Sequence, residues 1–348
     1  ARREWDGGRG RPAPIGAMDG VARAIGSLAM LLAWCVAVAV AFVAPARVSA
    51  QAAAAVTPAA PAEEKRRVLW RKLEMQVQET ARQLVGVPGI AVEDLTTGEK
   101  ILVNPDALFP QASTIKIAVL AELYHQDQQA AGGASGKSRL TDPYVVRAED
   151  VVQDSDILAG LTPGVTRLTN RDLATMTVAV SDNGATNVLI DRLGMEDINA
   201  FLDGLGLRAT RLRRRMMDLK AAREGRENVS TPREMMTLFE AIRAGKVFDE
   251  ARTADFWKML STPKSSALRR GLPDGVVAAN KTGSLEGVRN DCGLVFAPER
   301  PYVLCVMTTY LADEKAGEDA IARISAAAWS YFDRVGRSSP LGRVISTR

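Results

Sequence analysis

Three short strings carry residue types that together support acyl-transfer chemistry. They are Ser113-Thr114-Ile115-Lys116, Ser181-Asp182-Asn183 and Lys281-Thr282-Gly283. The set supplies a nucleophilic hydroxyl, a second hydroxyl and two amines that can act as base or acid. It does so without histidine, of which the chain has one. The chemistry indicated is attack of a serine hydroxyl on a carbonyl carbon.

The spacing of Ser113 and Lys116 suits a lysine base. Residues three apart on a helix lie on one face, about one turn from each other. A lysine acts as a base only when burial or another cation lowers its pKa. The run Ile117–Leu120 is apolar almost all round, so we expect this helix to be buried and Lys116 to be desolvated. Lys281 supplies the second cation if the fold brings it close.

His125 is the rival base, and its spacing argues against it. It lies twelve positions after Ser113, roughly 18 Å along a continuous helix at about 1.5 Å per residue. A Ser-His-Asp arrangement is therefore excluded if the helix is unbroken. We interpret His125 as a helix-end residue near solvent.

The charge balance gives no sign of a polyanionic partner. The formal net charge is +4, of which +3 falls in residues 1–50. The remainder is nearly neutral, so we expect no nucleic acid and no anionic surface as partner. One histidine and two cysteines beyond residue 50 offer no usual metal-ligand cluster. No glycine-rich phosphate loop follows a strand, and we expect no cofactor and no metal.

Residues 1–50 are interpreted as a leader, with Met18 as the start. Arg23 is a positive n-region, and an apolar stretch runs from 28 to 43. Val48-Ser49-Ala50 resembles a small-residue cleavage site, which places the cut after Ala50. An uncleaved membrane anchor is the alternative, because the stretch is nearly long enough to span a bilayer. Either way we expect a periplasmic or secreted protein, with no membrane contact after leader removal.

The element pattern predicts an α+β fold. An Ala/Pro-rich linker over 51–62 precedes an amphipathic helix over Glu63–Leu84 and a hairpin that turns at Thr97-Gly98. The middle is helical, with helix starts at Thr169 and Thr231. Strands and a last helix end the chain, so an antiparallel sheet built from both chain ends is flanked by helices, with an inserted all-helical subdomain. The predicted domain covers 63–334, with an α/β lobe over 63–112 and 262–334 and a helical lobe over 113–261. Within it, the late strands are predicted at 276–280, 292–296 and 302–308, and the last helix at 314–332. A loose tail over 335–348 follows.

Cys292 and Cys305 fall on two strands expected to pair around Pro298–Pro301. A disulfide is one outcome in an oxidising compartment. We favour the other outcome, two small buried free thiols.

With these strings and their flanks, the sequence resembles the class A β-lactamase family, within the larger group of penicillin-recognising serine enzymes. The likeness covers roughly Glu63 to Phe332. The matching stretches are Phe109-Pro110, Ser181–Asn187, Lys281–Ser284, Gly287 and Asn290-Asp291. It implies a β-lactamase/transpeptidase-like fold and a monomer.

The resemblance implies catalytic roles for four side chains. Ser113 attacks the substrate carbonyl, and Lys116 takes or relays its proton. Ser181 donates a proton to the leaving nitrogen, assisted by Lys281. The plainer interpretation of Lys281 is a charge on an edge strand.

It also implies substrate-binding roles on two segments. Asn183 holds the substrate amide, although Asp182-Asn183 is also typical of a turn cap. Thr282 and Ser284, on either side of Gly283, offer hydroxyls to a substrate carboxylate. The backbone N–H groups of Ser113 and Ser284 form an oxyanion hole, worth a few kcal/mol per donor.

The sequence departs from the family after Gly206. The family carries a glutamate there that activates the deacylating water, but ungapped continuation puts Met216 at its position. Asp218 is the nearest carboxylate and aligns two positions late. We interpret the arginines of Arg213–Arg215 as a solvated face. Acylation is therefore intact, while deacylation loses its base, which typically costs about 10²–10⁴ in rate.

Three functions remain open from the sequence. The first is a β-lactam hydrolase that uses Lys116 or a re-registered loop carboxylate as base. The second is another acyl-transfer enzyme, a D-Ala-D-Ala peptidase or an esterase. The third is a protein that captures β-lactams or cell-wall peptides without turnover.

Overall fold

The computed structural model describes residues 59–345, and the expectations for the leader and most of the linker lie outside them. One five-stranded antiparallel sheet forms the centre, with strand order β2-β1-β9-β8-β7. Its strands are β1 (Val87–Asp94), β2 (Lys100–Val103), β7 (Ala278–Leu285), β8 (Val288–Val295) and β9 (Tyr302–Thr309). Because β1 pairs with β9, strands from both ends of the chain meet in the middle of the sheet.

Helices cover the sheet and fill the middle of the chain. The α-helices are α1 (Ala59–Gln83), α2 (Lys116–Ala131), α3 (Asn170–Ala179), α4 (Asn183–Leu193), α5 (Met195–Gly204), α6 (Leu219–Arg223), α7 (Pro232–Arg243), α8 (Glu250–Leu260), α9 (Ala267–Arg270) and α10 (Glu314–Gly336). Short two-stranded ladders join β3 (Phe109–Pro110) to β6 (Val229–Ser230) and β4 (Pro143–Val145) to β5 (Arg167–Thr169). The predicted α+β architecture, with a helical insertion between β2 and β7, is confirmed.

The sheet separates two apolar cores because successive side chains on a strand point to opposite faces. Ile90 and Val92 pack with α1 and α10 on one face. Ala91 and Val303 pack on the other face, where the helical core around α2 continues. The sheet is therefore a buried layer that fixes the position of α2 on one side and of α10 on the other.

Local signals in the sequence start several helices as predicted. Thr169 and Asp172 form the reciprocal capping box of α3. Thr231 caps α7, whose first residue is Pro232. Gly194, with a φ of 86°, ends α4. Such caps satisfy the N–H groups left free in the first helical turn.

Several boundaries differ from the prediction, among them the end of the last helix, at Gly336 instead of 332, and the start of β8, at Val288 instead of 292. α1 begins at Ala59, four residues before the expected start at Glu63. β7 includes Lys281, Thr282 and Gly283, which we expected to follow the strand. Ladder pairing with β8 continues through Gly283 opposite Asn290, so tertiary hydrogen bonding extends the strand beyond its apolar part.

The preferred interpretation of the cysteines as free thiols is wrong. Cys292 on β8 and Cys305 on β9 are direct ladder partners, and a disulfide joins them. Both are buried. The strand register, which the sequence did not specify, brings the two sulfur atoms together.

Within residues 59–345, the longest helices lack the apolar length needed to cross a bilayer.

Candidate active site

Ser113 lies in a tight 3-10 turn, Ala112–Ile115, that leads directly into α2. The turn is held from the sheet, since the Asn290 side chain on β8 donates to the carbonyls of Pro110 (2.8 Å) and Gln111 (3.2 Å). Ala112, just before Ser113, has a φ of 48°, a conformation that non-glycine residues rarely adopt. The backbone around Ser113 is thus held in place by the sheet.

β7 approaches this turn so closely that only glycine fits at the point of contact. A Cβ on Gly283 would lie 2.6 Å from the Gln111 carbonyl oxygen and 3.0 Å from the Ser113 nitrogen. These separations are below van der Waals contact, so any side chain here would push the strand from the nucleophile. The lack of a side chain at Gly283 is therefore what lets the β7 backbone lie against the Ser113 turn.

Lys116 is buried, and its ammonium hydrogens all have acceptors. Its Nζ donates to the Ser181 carbonyl (2.6 Å), to Ser181 Oγ (3.0 Å) and to Asn183 Oδ1 (2.8 Å). No hydrogen bond joins Lys116 to Ser113 in the described chain, although one helical turn separates them. Burial, and then the positive charge of Lys281, hold the pKa of Lys116 well below its usual range. This is the condition that a lysine base requires.

Ser181 lies between the two lysines. Lys281 Nζ donates to Ser181 Oγ at 3.0 Å, the same distance as Lys116 Nζ. A hydroxyl has two acceptor lone pairs and one donor, so the lysines occupy both acceptor sites. Ser181 has a φ of 61°, which costs of order 1 kcal/mol and is typical of functional sites. Its proton is left free to be donated to a third group.

Lys281 lies on an edge strand, but it is not the exposed charge of the plainer interpretation. Its side chain is 1% exposed. Burial lowers its pKa to about 8, against the opposing effect of Asp291. Asp291 is itself buried and accepts hydrogen bonds from Ser266, Leu268 and Asn280, while burial raises its pKa.

The substrate-binding candidates line one cavity of about 340 Å³ together with the nucleophile. Thr282 and Ser284 on β7 line it, and so do Ser181 and Asn183. Asp182 points away and caps α4 by accepting from the Ala185 N–H. The structure thus brings Ser113, Ser181 and the β7 hydroxyls to one opening, with the two lysines beneath.

Met216 lines the same cavity, as the ungapped register predicts. Asn187 on α4 fixes it, because its Oδ1 accepts from the Met216 N–H (2.8 Å) and its Nδ2 donates to the Met216 carbonyl (3.1 Å). Asp218 caps α6 and does not line the cavity. No carboxylate of this loop replaces Met216 there.

The expectation of a solvated arginine face is wrong for Arg214. Its side chain is buried, pairs with Glu227 and lines the cavity. Arg213 and Arg215 are exposed. Asn228 holds the loop by accepting from the N–H groups of Arg213 and Arg214, so the central arginine is turned inward.

His125 is remote from the nucleophile. It is half-buried in the second half of α2, beside Glu122 at 3.0 Å and against the Phe201 ring. The helix is continuous between it and Lys116, so a serine-histidine pair does not form. Over residues 59–345 no group of His, Cys, Asp and Glu is arranged to hold a metal ion.

Sequence reasoning missed three residues of the site. Asn290 was part of a matching string, but its role in holding the Ser113 turn depends on the sheet. Asn187 follows the Ser181 string, and its bond to Met216 depends on how the loop folds back. Asp154 lines the cavity from a loop without a motif.

The site and the α+β fold define a serine hydrolase of the β-lactamase-like type. A family model described as "Beta-lactamase enzyme family" matches residues 72–332. The chain therefore belongs to the beta-lactamase enzyme family.

Individual relatives agree with this. A beta-lactamase of Streptomyces albus G is 26% identical over 258 residues, covering 70% of this chain and 82% of the relative. The solved beta-lactamase of Sphaerobacter thermophilus is 33% identical, with a TM-score of 0.65, and covers 74% of this chain and 96% of its own. A mutant of PBP-A, solved as an acyl-enzyme complex with penicillin G, is 25% identical with a TM-score of 0.67, covering 76% and 97%.

Proposed function

We propose that the protein opens β-lactam rings through an acyl-enzyme on Ser113 and that it releases the product slowly. The observation that carries the proposal is Ser181 Oγ, which lies 3.0 Å from the Nζ of each of the two buried lysines. Ser181 and Ser113 line the same cavity. A ring amide placed there has a nucleophile and a proton donor available together.

In acylation, neutral Lys116 takes the Ser113 proton, directly or through Ser181, as Ser113 Oγ bonds to the lactam carbonyl carbon. The C–N bond of the ring then breaks, and the nitrogen receives the proton of Ser181 Oγ. Lys116 or Lys281 returns a proton to Ser181, which balances the step. A lysine base needs a lowered pKa, and burial lowers the pKa of both Lys116 and Lys281 here.

Deacylation needs a base for water, and Met216 occupies the place where the loop meets the cavity. A thioether does not accept a proton at neutral pH. We infer that the acyl-enzyme persists, since loss of a general base typically costs about 10²–10⁴ in rate.

Time-resolved intact-mass spectrometry of the protein with benzylpenicillin tests acylation and release together. We expect an adduct of one penicillin per chain that forms quickly and clears slowly. Ser113→Ala removes the nucleophile and must abolish the adduct. An adduct that survives this change would show that Ser113 is not the nucleophile.

The loop assignment is tested by Met216→Glu, with Met216→Gln as the matched control. Glutamate restores a carboxylate of suitable reach, so we expect the adduct to clear at least tenfold faster, within the range of general-base effects. Glutamine has the same length and no basic oxygen, and its adduct should persist. Equal clearance rates in the two variants would contradict the assigned role of position 216.

A D-Ala-D-Ala peptidase or esterase is the second candidate, favoured by the same missing carboxylate and by the similarity to PBP-A. Faster turnover of a D-Ala-D-Ala peptide or an ester than of penicillin would select it. A stable adduct with every substrate would instead mark a protein that captures without turnover.

We further propose that the domain works as a monomer in the periplasm or outside the cell. The leader pattern supports this location, and so does the Cys292–Cys305 disulfide, because disulfides persist in oxidising compartments. The resemblance to the class A β-lactamase family supports the monomer. Export of the protein in a bacterial host, followed by N-terminal sequencing, would show whether cleavage follows Ala50.

A further inference from the structure

Among the described residues, one carboxylate lines the catalytic cavity, that of Asp154. Asp154 lies in the segment between β4 and β5 and has a φ of 57°. Its carbonyl accepts the Asn183 N–H at 3.1 Å. The bond fixes this residue to the segment that carries Ser181 and Asn183.

Asp154 is exposed, and no described cation forms an ion pair with it. Its charge reaches Lys116 without direct contact, since Asp154 opposes the lowering of the Lys116 pKa by burial and by Lys281. The nearby cations have closer partners of their own. Arg214 pairs with Glu227. Lys116 and Lys281 are buried beneath the floor and both bond to Ser181.

The position of Asp154 indicates which part of a substrate it meets. Thr282 and Ser284 on β7 line the cavity with Ser113, and so do Asp154 and Asn183, which are joined by their backbone hydrogen bond. If Asn183 holds the acyl-side amide, as in the proposed function, Asp154 lies beside the acyl substituent. An exposed carboxylate there attracts a cation and repels an anion.

We propose that Asp154 is a specificity-determining residue that favours acyl donors carrying a protonated amine next to the acyl carbonyl. The inference rests on the proposed function and deepens it. The substrate class is that of amino-substituted penicillins and of peptides with a free amine on the acyl side. Neutral acyl groups bind without this attraction, and carboxylated acyl groups are disfavoured.

The test compares ampicillin with benzylpenicillin, which differ by one amino group on the acyl side. Second-order acylation rates are measured by intact mass at about pH 6, below the usual pKa of an α-amine. Since exposed ion pairs contribute modestly, we expect Asp154→Asn to lower the ampicillin-to-benzylpenicillin rate ratio about two- to fivefold. Asp156→Asn is the matched control, an exposed carboxylate two residues away that does not line the cavity.

The ratio cancels any general loss of activity or folding in the variant. Added salt should shrink the difference between wild type and Asp154→Asn, because it screens exposed charges. An unchanged ratio in Asp154→Asn overturns the inference, even if clearance of both adducts slows, which would assign Asp154 to deacylation. Failure of the wild type to react with either penicillin overturns the proposed function instead, and this inference with it.

Discussion

At the scale of single residues, the site is organised by two buried amines that share one hydroxyl. Lys116 and Lys281 both lose positive charge more easily than free lysines, and burial is the larger cause for each. Their tasks differ, because the base must be neutral while the proton source must be charged. The pH dependence of acylation therefore reports on which lysine does which.

The lysine assignments predict a bell-shaped pH profile for acylation. Neutral Lys116 becomes more abundant as pH rises, so the rate should rise on the acid side. Protonated Lys281 is lost above its pKa of about 8, so the rate should then fall, by about tenfold per pH unit. The measurement is the second-order acylation rate from pH 5 to about 10.

Lys281→Arg separates the two limbs. A guanidinium keeps its charge at every accessible pH, so the alkaline fall should disappear while the acid limb remains. Because the planar guanidinium directs its N–H groups differently from an ammonium, we expect a lower maximum acylation rate. An alkaline limb that stays near pH 8 in this variant would assign it to another group.

At the scale of secondary-structure elements, features set within a few residues, such as helix caps, were predicted better than the pairing of strands. Caps at Thr169 and Thr231 start their helices with hydrogen bonds inside one turn, and sequence reasoning found both. The extension of β7 through Gly283 and the Cys292–Cys305 bond depend on partners far along the chain. Asp154 was missed for a similar reason, since a loop residue reveals its role only when another segment folds against it.

The disulfide gives a prediction for the β8–β9 pair. In denaturant without reductant, a maleimide should leave Cys292 and Cys305 unlabelled, and after reduction it should label both. Replacing both Cys292 and Cys305 by alanine should lower the free energy of unfolding by about 2–4 kcal/mol. Urea titration measures this, and reduced wild type is the control. Labelling of Cys292 and Cys305 before reduction would contradict the bond.

At the scale of the whole molecule, the two ends of the domain are packed against each other. Trp70 on α1 makes edge contacts with Tyr331 (5.2 Å between centroids) and Phe332 (6.2 Å) on α10. These helices cover the sheet face away from the catalytic cavity. The sequence pattern predicted that helices from the two ends of the domain flank one sheet. The aromatic contacts between α1 and α10 became visible only in the structure.

Trp70→Ala should lower the free energy of unfolding by about 3–5 kcal/mol, because it removes a large buried ring. The acylation rate per folded molecule should stay the same, since the site lies on the other face. Urea unfolding measures the first quantity and adduct formation the second. Met75→Ala on the same helix is exposed and should change stability by less than about 0.5 kcal/mol.

The pairing of β1 with β9 also determines how late in synthesis the central sheet can be completed. Val87 lies opposite Thr309, so synthesis of more than two hundred residues separates the two strands. The helices of the insertion emerge earlier and form from local contacts, whereas non-local strand pairing is slow. Ser113 therefore leaves the ribosome long before Lys281, and the catalytic cavity closes only when the last strand joins the sheet.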